Sequence, residues 1–319
     1  MIRKSLLALV TSFVLAGAAL AGPRFLCCDY NGGKVCIVAA DGSIEWKEEA
    51  KNPQDCWLLP NGNVLFAYLN GAKEVTKDHK VVWEYHQEAK VTSHVKLKQK
   101  DGTEVEKDLE ESVECHAAQP LPNGNVLIVE GGTSRIIEVD REGKIAKEIK
   151  LVTKPEVRLH NQFRGTRKTA EGHYLVCFKG EGKSVELDGT GKVLREVPVT
   201  GDPHEVVLLP NKNLLITCGD GHKVVEVDPS DKVVWELNEN DLPGNTLRLM
   251  AGCQRLPNGN TLFCDYLGHG HIGEQPMVIE VTRDKKVVWE FADHANFKTV
   301  NQIQSLEVKG DVTKGEILR

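Results

Sequence analysis

The chain has 319 residues, of which 40% are hydrophobic and 27% charged, and a formal net charge of −6. Acidic and basic residues are interspersed throughout, which argues against a nucleic-acid footprint or a surface for anionic membranes, so no nucleic-acid partner is expected. Nine cysteines are too few for a disulfide scaffold, and an odd number leaves at least one unpaired.

The first element is a leader. Arg3 and Lys4 supply a positive start, Leu6 to Leu15 an apolar stretch, and Ala19-Leu20-Ala21 a small-x-small cleavage site before Gly22. This predicts export to the periplasm or the medium with residues 1–21 removed, taking two positive charges and moving the net charge from −6 to −8. No later segment approaches ~20 unbroken apolar residues, so the mature chain, residues 22–319, reads as one soluble, monomeric domain with no membrane contact.

From there one pattern repeats. A Leu-Pro-Asn-Gly-Asn type turn recurs at Leu59–Asn63, Leu121–Asn125, Leu209–Asn213 and Leu256–Asn260, each followed by an apolar run such as Val64-Leu65-Phe66. A Gly-rich turn and an apolar-Glu-apolar segment come next, carrying Glu74, Glu138, Glu186, Glu226 and Glu280. A polar turn then leads into Lys-Val-Val-Trp-Glu at Lys80–Glu84, Lys232–Glu236 and Lys286–Glu290, with weaker copies at 144–148 and 192–196. Short Val-, Ile-, Leu- and Trp-rich runs between such turns are strands, and no helical period is sustained. Four strands per unit, a to d, at a spacing near 40 residues mark the blades of a β-propeller.

Counting the Trp-equivalent positions Trp46, Trp83, Lys147, Arg195, Trp235 and Trp289 gives six blades. Only three strands precede Trp46, and the segment from Gln302 to Asp311 matches the end of a strand a and its turn. The fold expected is therefore all-β: a six-bladed propeller whose C-terminal strand completes blade one and removes an open edge. Cys28, Cys177 and Cys264 share one repeat position with Ala67, Val129 and Thr217, as small core filling does. The five repeated Glu residues read as inter-blade partners of Lys or Arg. Asn31-Gly32, as a two-residue hairpin turn, sets Cys27 opposite Cys36 and predicts a disulfide there.

The segment 224–236 and the Leu-Pro-Asn-Gly-Asn turns resemble those of bacterial arylsulfotransferase-like propellers and, more distantly, the pyrroloquinoline-quinone-like repeat superfamily. The resemblance spans the mature chain but rests on structural motifs, so it implies blades more than chemistry. The sulfotransferases use a central-channel His as sulfuryl acceptor, helped by further His and Arg. They are much longer and carry an N-terminal domain that this chain lacks.

Strand a lines a propeller's channel. Counting six residues back from each turn Pro gives Gln54, His116 and His204, with Arg164, Gln302 and Ala251 at the matching places and His160 four residues before Arg164. His116, His160, His204 and Arg164 are thus the catalytic candidates. Gln54, Asp55, Gln302 and the blade-six turn residues His269 and His271 are the ligand-binding ones. His204 beside Asp202 and Glu205 is the only local hint of a supported base, although neighbouring strand residues face opposite ways. His269-Gly-His271 is too sparse for a metal motif, and no phosphate loop, Gly-x-Ser-x-Gly elbow or Cys-x-x-Cys occurs, so no motif requires a cofactor. Residues 86–114 break the repeat and read as a polar hairpin turning at Asp101-Gly102, overhanging the channel mouth. Two functions follow: a non-enzymatic propeller holding a small molecule or protein at that mouth, or an arylsulfotransferase-like transferase or hydrolase using the His cluster.

Overall fold

Each Leu-Pro-Asn-Gly-Asn segment closes on itself. In the first, Gly62 N–H donates to Leu59 O and Leu59 N–H to Asn63 O, both at 2.9 Å, while Gly62 takes φ +83°. That left-handed conformation is why Gly recurs there; in blade five Lys212 holds the same place at φ +69°.

The computed structural model describes residues 22–99, 101–316 and 319; the expected leader, 1–21, lies outside them. The strands form six four-stranded antiparallel sheets and one two-stranded hairpin. Blade two runs from Asp55–Leu58 to Val81–His86, blade three from Cys115–Pro120 to Ile145–Lys150 and blade four from Phe163–Lys168 to Val193–Pro198. Blade five spans Pro203–Leu208 to Val233–Leu237, and blade six Met250–Arg255 to Val287–Phe291. Blade one orders Val300–Ser305, Phe25–Asp29, Lys34–Val38 and Ile44–Glu49, so the late strand supplies the innermost position, as expected. Among the described residues no helix is long and apolar enough to cross a membrane.

Apolar clusters fill the wedges between blades, with Trp57, Tyr174, Phe66, Phe163 and Phe263 among the largest fully buried side chains. Each contributes roughly 1.5–3 kcal/mol relative to exposure. The outer-strand Trp adds a polar tie to the next blade. Trp46, Trp83 and Trp235 donate Nε1–H to the carbonyls of Lys77, Asp140 and Arg283 at 2.8–3.0 Å. Arg195, at the Trp position of blade four, donates to Asp228 O in blade five and so keeps the connection without the ring.

The repeated Glu residues divide. Glu74 pairs with Arg141, Glu138 with Lys168, and Glu226 with Arg255 and Arg283, each across a blade boundary. Glu186 instead takes His173 of its own blade, and Glu280 accepts from Asn260 of its own turn. The inter-blade expectation thus holds for three of the five. Asn63 and Asn213, last in their turns, bond Glu74 and Glu226 as Asn260 bonds Glu280, tying strand c to the a–b turn.

The nine cysteines are all buried free thiols. Cys28, Cys177 and Cys264 are fully buried core filling, and burial raises each thiol pKa. Cys27 does stand opposite Cys36, but they are not bonded, which corrects the disulfide expectation. The turn and register are those expected: Gly33 N–H meets Tyr30 O at 3.4 Å across Asn31-Gly32, and Asp29 pairs with Lys34. Tyr30 N–H and Arg24 O bond the closing strand, so alternate residues, Cys27 included, direct their backbone groups at Cys36's strand. That makes Cys27–Cys36 a hydrogen-bonded pair, in which facing side chains stand further apart.

Candidate functional site

The inner strands enter their blades through irregularities. The pairing register jumps between Cys115 and Ala117, leaving His116 unpaired, and between Pro203 and Glu205, leaving His204. In blade four the jump from Phe163 to Thr166 frees Arg164 and Gly165; in blade six Met250 to Cys253 frees Ala251 and Gly252. In the closing strand Asn301 is skipped between Val300 and Gln302. A bulge adds a residue that the ladder does not use and re-aims its side chain. Five bulges at one end of six inner strands therefore build the mouth. Gly165 and Gly252 form its floor: a Cβ on Gly165 would lie 2.6 Å from Glu205 Oε1, and one on Gly252 2.1 Å from Gln302 Oε1.

The result is a cavity of about 640 Å³, counting the space open to solvent, lined by Gln54, His116, His160, Arg164, His204, His269 and Gln302 among the expected residues. Tyr30, Lys179, Glu205, Tyr266 and Asn301 complete its polar wall. Tyr30 and Lys179 sit on b–c turns directly after strand b, at the place of Tyr266 in blade six, where Cys28-Asp29-Tyr30 recurs as Cys264-Asp265-Tyr266. Two expected residues lie elsewhere. Asp55 is only 1% exposed, beneath the mouth, and His271 bonds Glu274 at 2.7 Å on the exposed blade-six turn, off the cavity wall. The expected hairpin forms as Lys90–Lys98 and Glu104–Ser112; its Val91 packs beside Gly132, and none of its described residues lines the cavity.

Arg164 is the centre of the mouth. Its Nη1 donates to Phe163 O at 2.7 Å and lies 3.2 Å from His116 Nε2, while Nη2 lies 3.1 Å from His160 Nε2. Among the described residues no carboxylate pairs with this guanidinium, although it is 5% exposed. The carboxylate sits one step back: Glu114 Oε2 is 2.8 Å from His160 Nδ1 and 3.1 Å from His116 Nε2. Because an arginine only donates, His160 is the tautomer that gives Nδ1–H to Glu114 and accepts at Nε2. His116 Nε2 cannot both accept from Arg164 and donate to Glu114, and its buried Nδ1 has no partner.

Burial and the neighbouring Arg164 hold His116 down at about 3, and burial holds His204 at about 4. Both imidazoles are neutral at pH 7. Burial pushes Glu114 up, but bonds from His116 and His160 outweigh it and leave the carboxyl well below its usual range. Asp202 is lowered likewise, burial being outweighed by His204, 3.5 Å away, and Lys179, 3.1 Å away. Burial lowers Arg164, and burial with Arg164 lowers Lys179; burial also raises Tyr30, and Tyr266 to about 12. Among the described residues no group of three His, Cys, Asp or Glu is arranged to hold a metal ion.

Beneath the mouth the same strands carry a second belt. Arg167 donates to Asp55 at 2.7 and 3.2 Å and to Glu205 at 3.0 Å; Gln302 donates to Glu205 at 2.6 Å and Arg319 to Asp55 at 2.7 Å. Arg319 also lies over the Trp57 ring, 4.0 Å from its centroid. Glu205 therefore joins the two belts: it pairs with Arg167 and Gln302 at the waist and lines the cavity floor beside Gly165.

The architecture has solved counterparts. A protein of unknown function from Bacteroides caccae is 27% identical, with a TM-score of 0.73 over 88% of this chain and 98% of its own. Virginiamycin B lyase from Staphylococcus aureus is 14% identical, with a TM-score of 0.55 over 88% of each chain. A chain of the nidogen/laminin complex is 11% identical, with a TM-score of 0.57 over 88% of this chain and 97% of its own. At such identities the last two share the fold alone. No curated protein matches the sequence. The sequence profile of one family matches residues 55–258, from the inner strand of blade two into blade six, and by this match the chain belongs to the Mal s 1 allergenic protein-like family.

Proposed function

We propose that this protein is an exported propeller that binds a small molecule at the mouth of its channel without transforming it. The observation that carries this reading is the convergence of bulge residues from separate blades on one concave, polar-walled cavity around a guanidinium with no carboxylate partner. Inner strands hold His116, Arg164, His204, Asn301 and Gln302, so this part of the wall is pre-formed and binding orders little chain. Among the described residues the cysteines are buried, the nearest His–carboxylate pair, His160 and Glu114 at 2.8 Å, has its Nε2 against Arg164, and His204 shares Asp202 with Lys179, so no nucleophile with a free, aligned base stands out. The alternative, an arylsulfotransferase-like transferase or hydrolase, would use His204 as base or acceptor.

Thermal-shift screening of the mature protein against small metabolites tests the reading. Hits that raise the melting temperature and vanish in His116→Ala and Arg164→Gln support it; hits unaffected by both changes would move binding away from the mouth. Turnover of chromogenic aryl sulfates or esters that disappears in His204→Ala would establish the enzymatic alternative. Export is tested by the N-terminus of the secreted protein, expected at Gly22.

A further inference from the structure

Arg164 and the two imidazoles against it leave a charge pattern that narrows the ligand. The groups facing this cluster are Glu114, Tyr30, Tyr266, Lys179, Asp202, His204, His269 and Glu205. Lys179 is matched by Asp202, and Glu205 by Arg167. Glu114 offsets Arg164, but only through the imidazoles that separate them. With His116 neutral and His160 accepting at Nε2, the mouth presents a guanidinium that no carboxylate among the described residues meets, and it has no net positive charge to spare. One added proton provides one unit of charge.

Resting on the small-molecule reading, we propose that the ligand carries a monocarboxylate, bound between Arg164 and His160 and taken up together with one proton. The carboxylate replaces the 3.1 Å contact of Arg164 Nη2 with His160 Nε2. A proton from solvent adds to the Nε2 lone pair, and the imidazolium then donates Nε2–H to the carboxylate while keeping Nδ1–H on Glu114. No other bond is made or broken, and the added charges cancel. His160 is placed for this: it sits on a short 3-10 turn, Leu159–Asn161, with its side chain 43% exposed, whereas His116 is sealed. The planar guanidinium edge matches a planar carboxylate. A phosphate monoester would bring a second negative charge toward Glu114 and Glu205 with no proton to meet it.

Isothermal titration of the full mature protein with acetate, benzoate and glucuronate, from pH 8 to 5.5 in buffers of differing ionisation enthalpy, tests this. The expected result is uptake of close to one proton per carboxylate bound and an affinity that rises up to ~10-fold per pH unit. Benzamide should bind at least ~10-fold more weakly than benzoate, and phenyl phosphate no better than benzoate. His160→Gln should keep weakened carboxylate binding but lose the proton uptake, and Glu114→Gln should reduce the uptake. Carboxylate binding without proton uptake overturns the inference and leaves the binding site standing. Mouth ligands that prove neutral or dianionic also overturn it, again without touching the small-molecule reading. That reading falls separately, if no small molecule at all shifts the melting temperature.

Discussion

The waist and the mouth are two polar belts a few residues apart along the inner strands, and they are built to opposite rules. At the waist every charge has an opposite within hydrogen-bond reach: Arg167 bridges Asp55 and Glu205, and Arg319 closes on Asp55. At the mouth Arg164 meets only imidazoles and a carbonyl, and His116 keeps a buried nitrogen without a partner. Regular ladder residues form the first belt and bulge residues much of the second. A buried charge costs least when it is paired, so leaving one unpaired is tolerable only where something else completes it. Pairing, more than residue type, separates what holds this ring together from what the ring presents.

The largest effect should come from removing residues 300–319. This takes away the inner strand of blade one, Gln302 and Arg319 together, exposing the edge of Phe25–Asp29 and opening the waist. The truncated protein should unfold or oligomerise in size-exclusion chromatography; a monomer with an unchanged melting temperature would show that the ring does not need this closure. Arg167→Met comes next. Glu205 would keep only Gln302 and the Val206 N–H, and the cost of stranding this buried carboxylate is about 3–5 kcal/mol by urea denaturation.

Acid should act on the mouth before the waist. His116 and His204 titrate in the folded protein near 3 and 4, against about 6.5 when unfolded, so the unfolded state binds more protons between these values. Stability should therefore fall as pH drops from about 6.5 toward 4, by up to ~1.4 kcal/mol per unit for each His. The lowered carboxyls Glu114 and Asp202 add a further loss below about pH 4.5, as pH falls toward their folded values. His204→Gln should flatten the upper part of this slope and Arg167→Met should not; an equal effect of both would erase the distinction between the belts.

The smallest effect expected is that of Arg164→Gln on stability, within about 1 kcal/mol of wild type, because no ion pair is broken and a buried, unmatched charge is relieved. Its partner-rich counterpart three residues on, Arg167, should cost several times more. Equal losses at the two positions would mean that Arg164 is structural after all.

Much of this was legible in the residues. Blade number follows from six Trp-equivalent positions because the turn, the Glu and the outer tie recur, in whole or in part, from blade to blade. Counting back from the turn Pro reached Gln54, His116, Arg164 and His204 because every inner strand enters the channel from the same side. Asp55 shows the limit of that counting: it directly follows Gln54, yet strand alternation sends it to the waist. His271 shows another, since the long blade-six turn folds it onto Glu274. Glu114, Tyr30 and Lys179 were not reached by counting from the turn Pro, although Glu114 aligns with Asp202, two residues before the channel His, and Tyr30 with Tyr266. The Cys27–Cys36 register was readable from the turn, whereas the hydrogen-bonding phase of the pair was not, because it depends on which neighbour strand each residue addresses.

By itself, then, the sequence determined the all-β class, the six blades and the closing strand, since periodic turns and alternating apolar runs are local and each copy repeats the same physics. Only the tertiary structure decided where bulges interrupt the inner strands, which charges find partners across the channel, and that Arg164 is left facing imidazoles. Those outcomes depend on contacts between residues separated by tens to hundreds of positions. No local pattern encodes whether a buried charge, once the ring has closed, will meet its opposite.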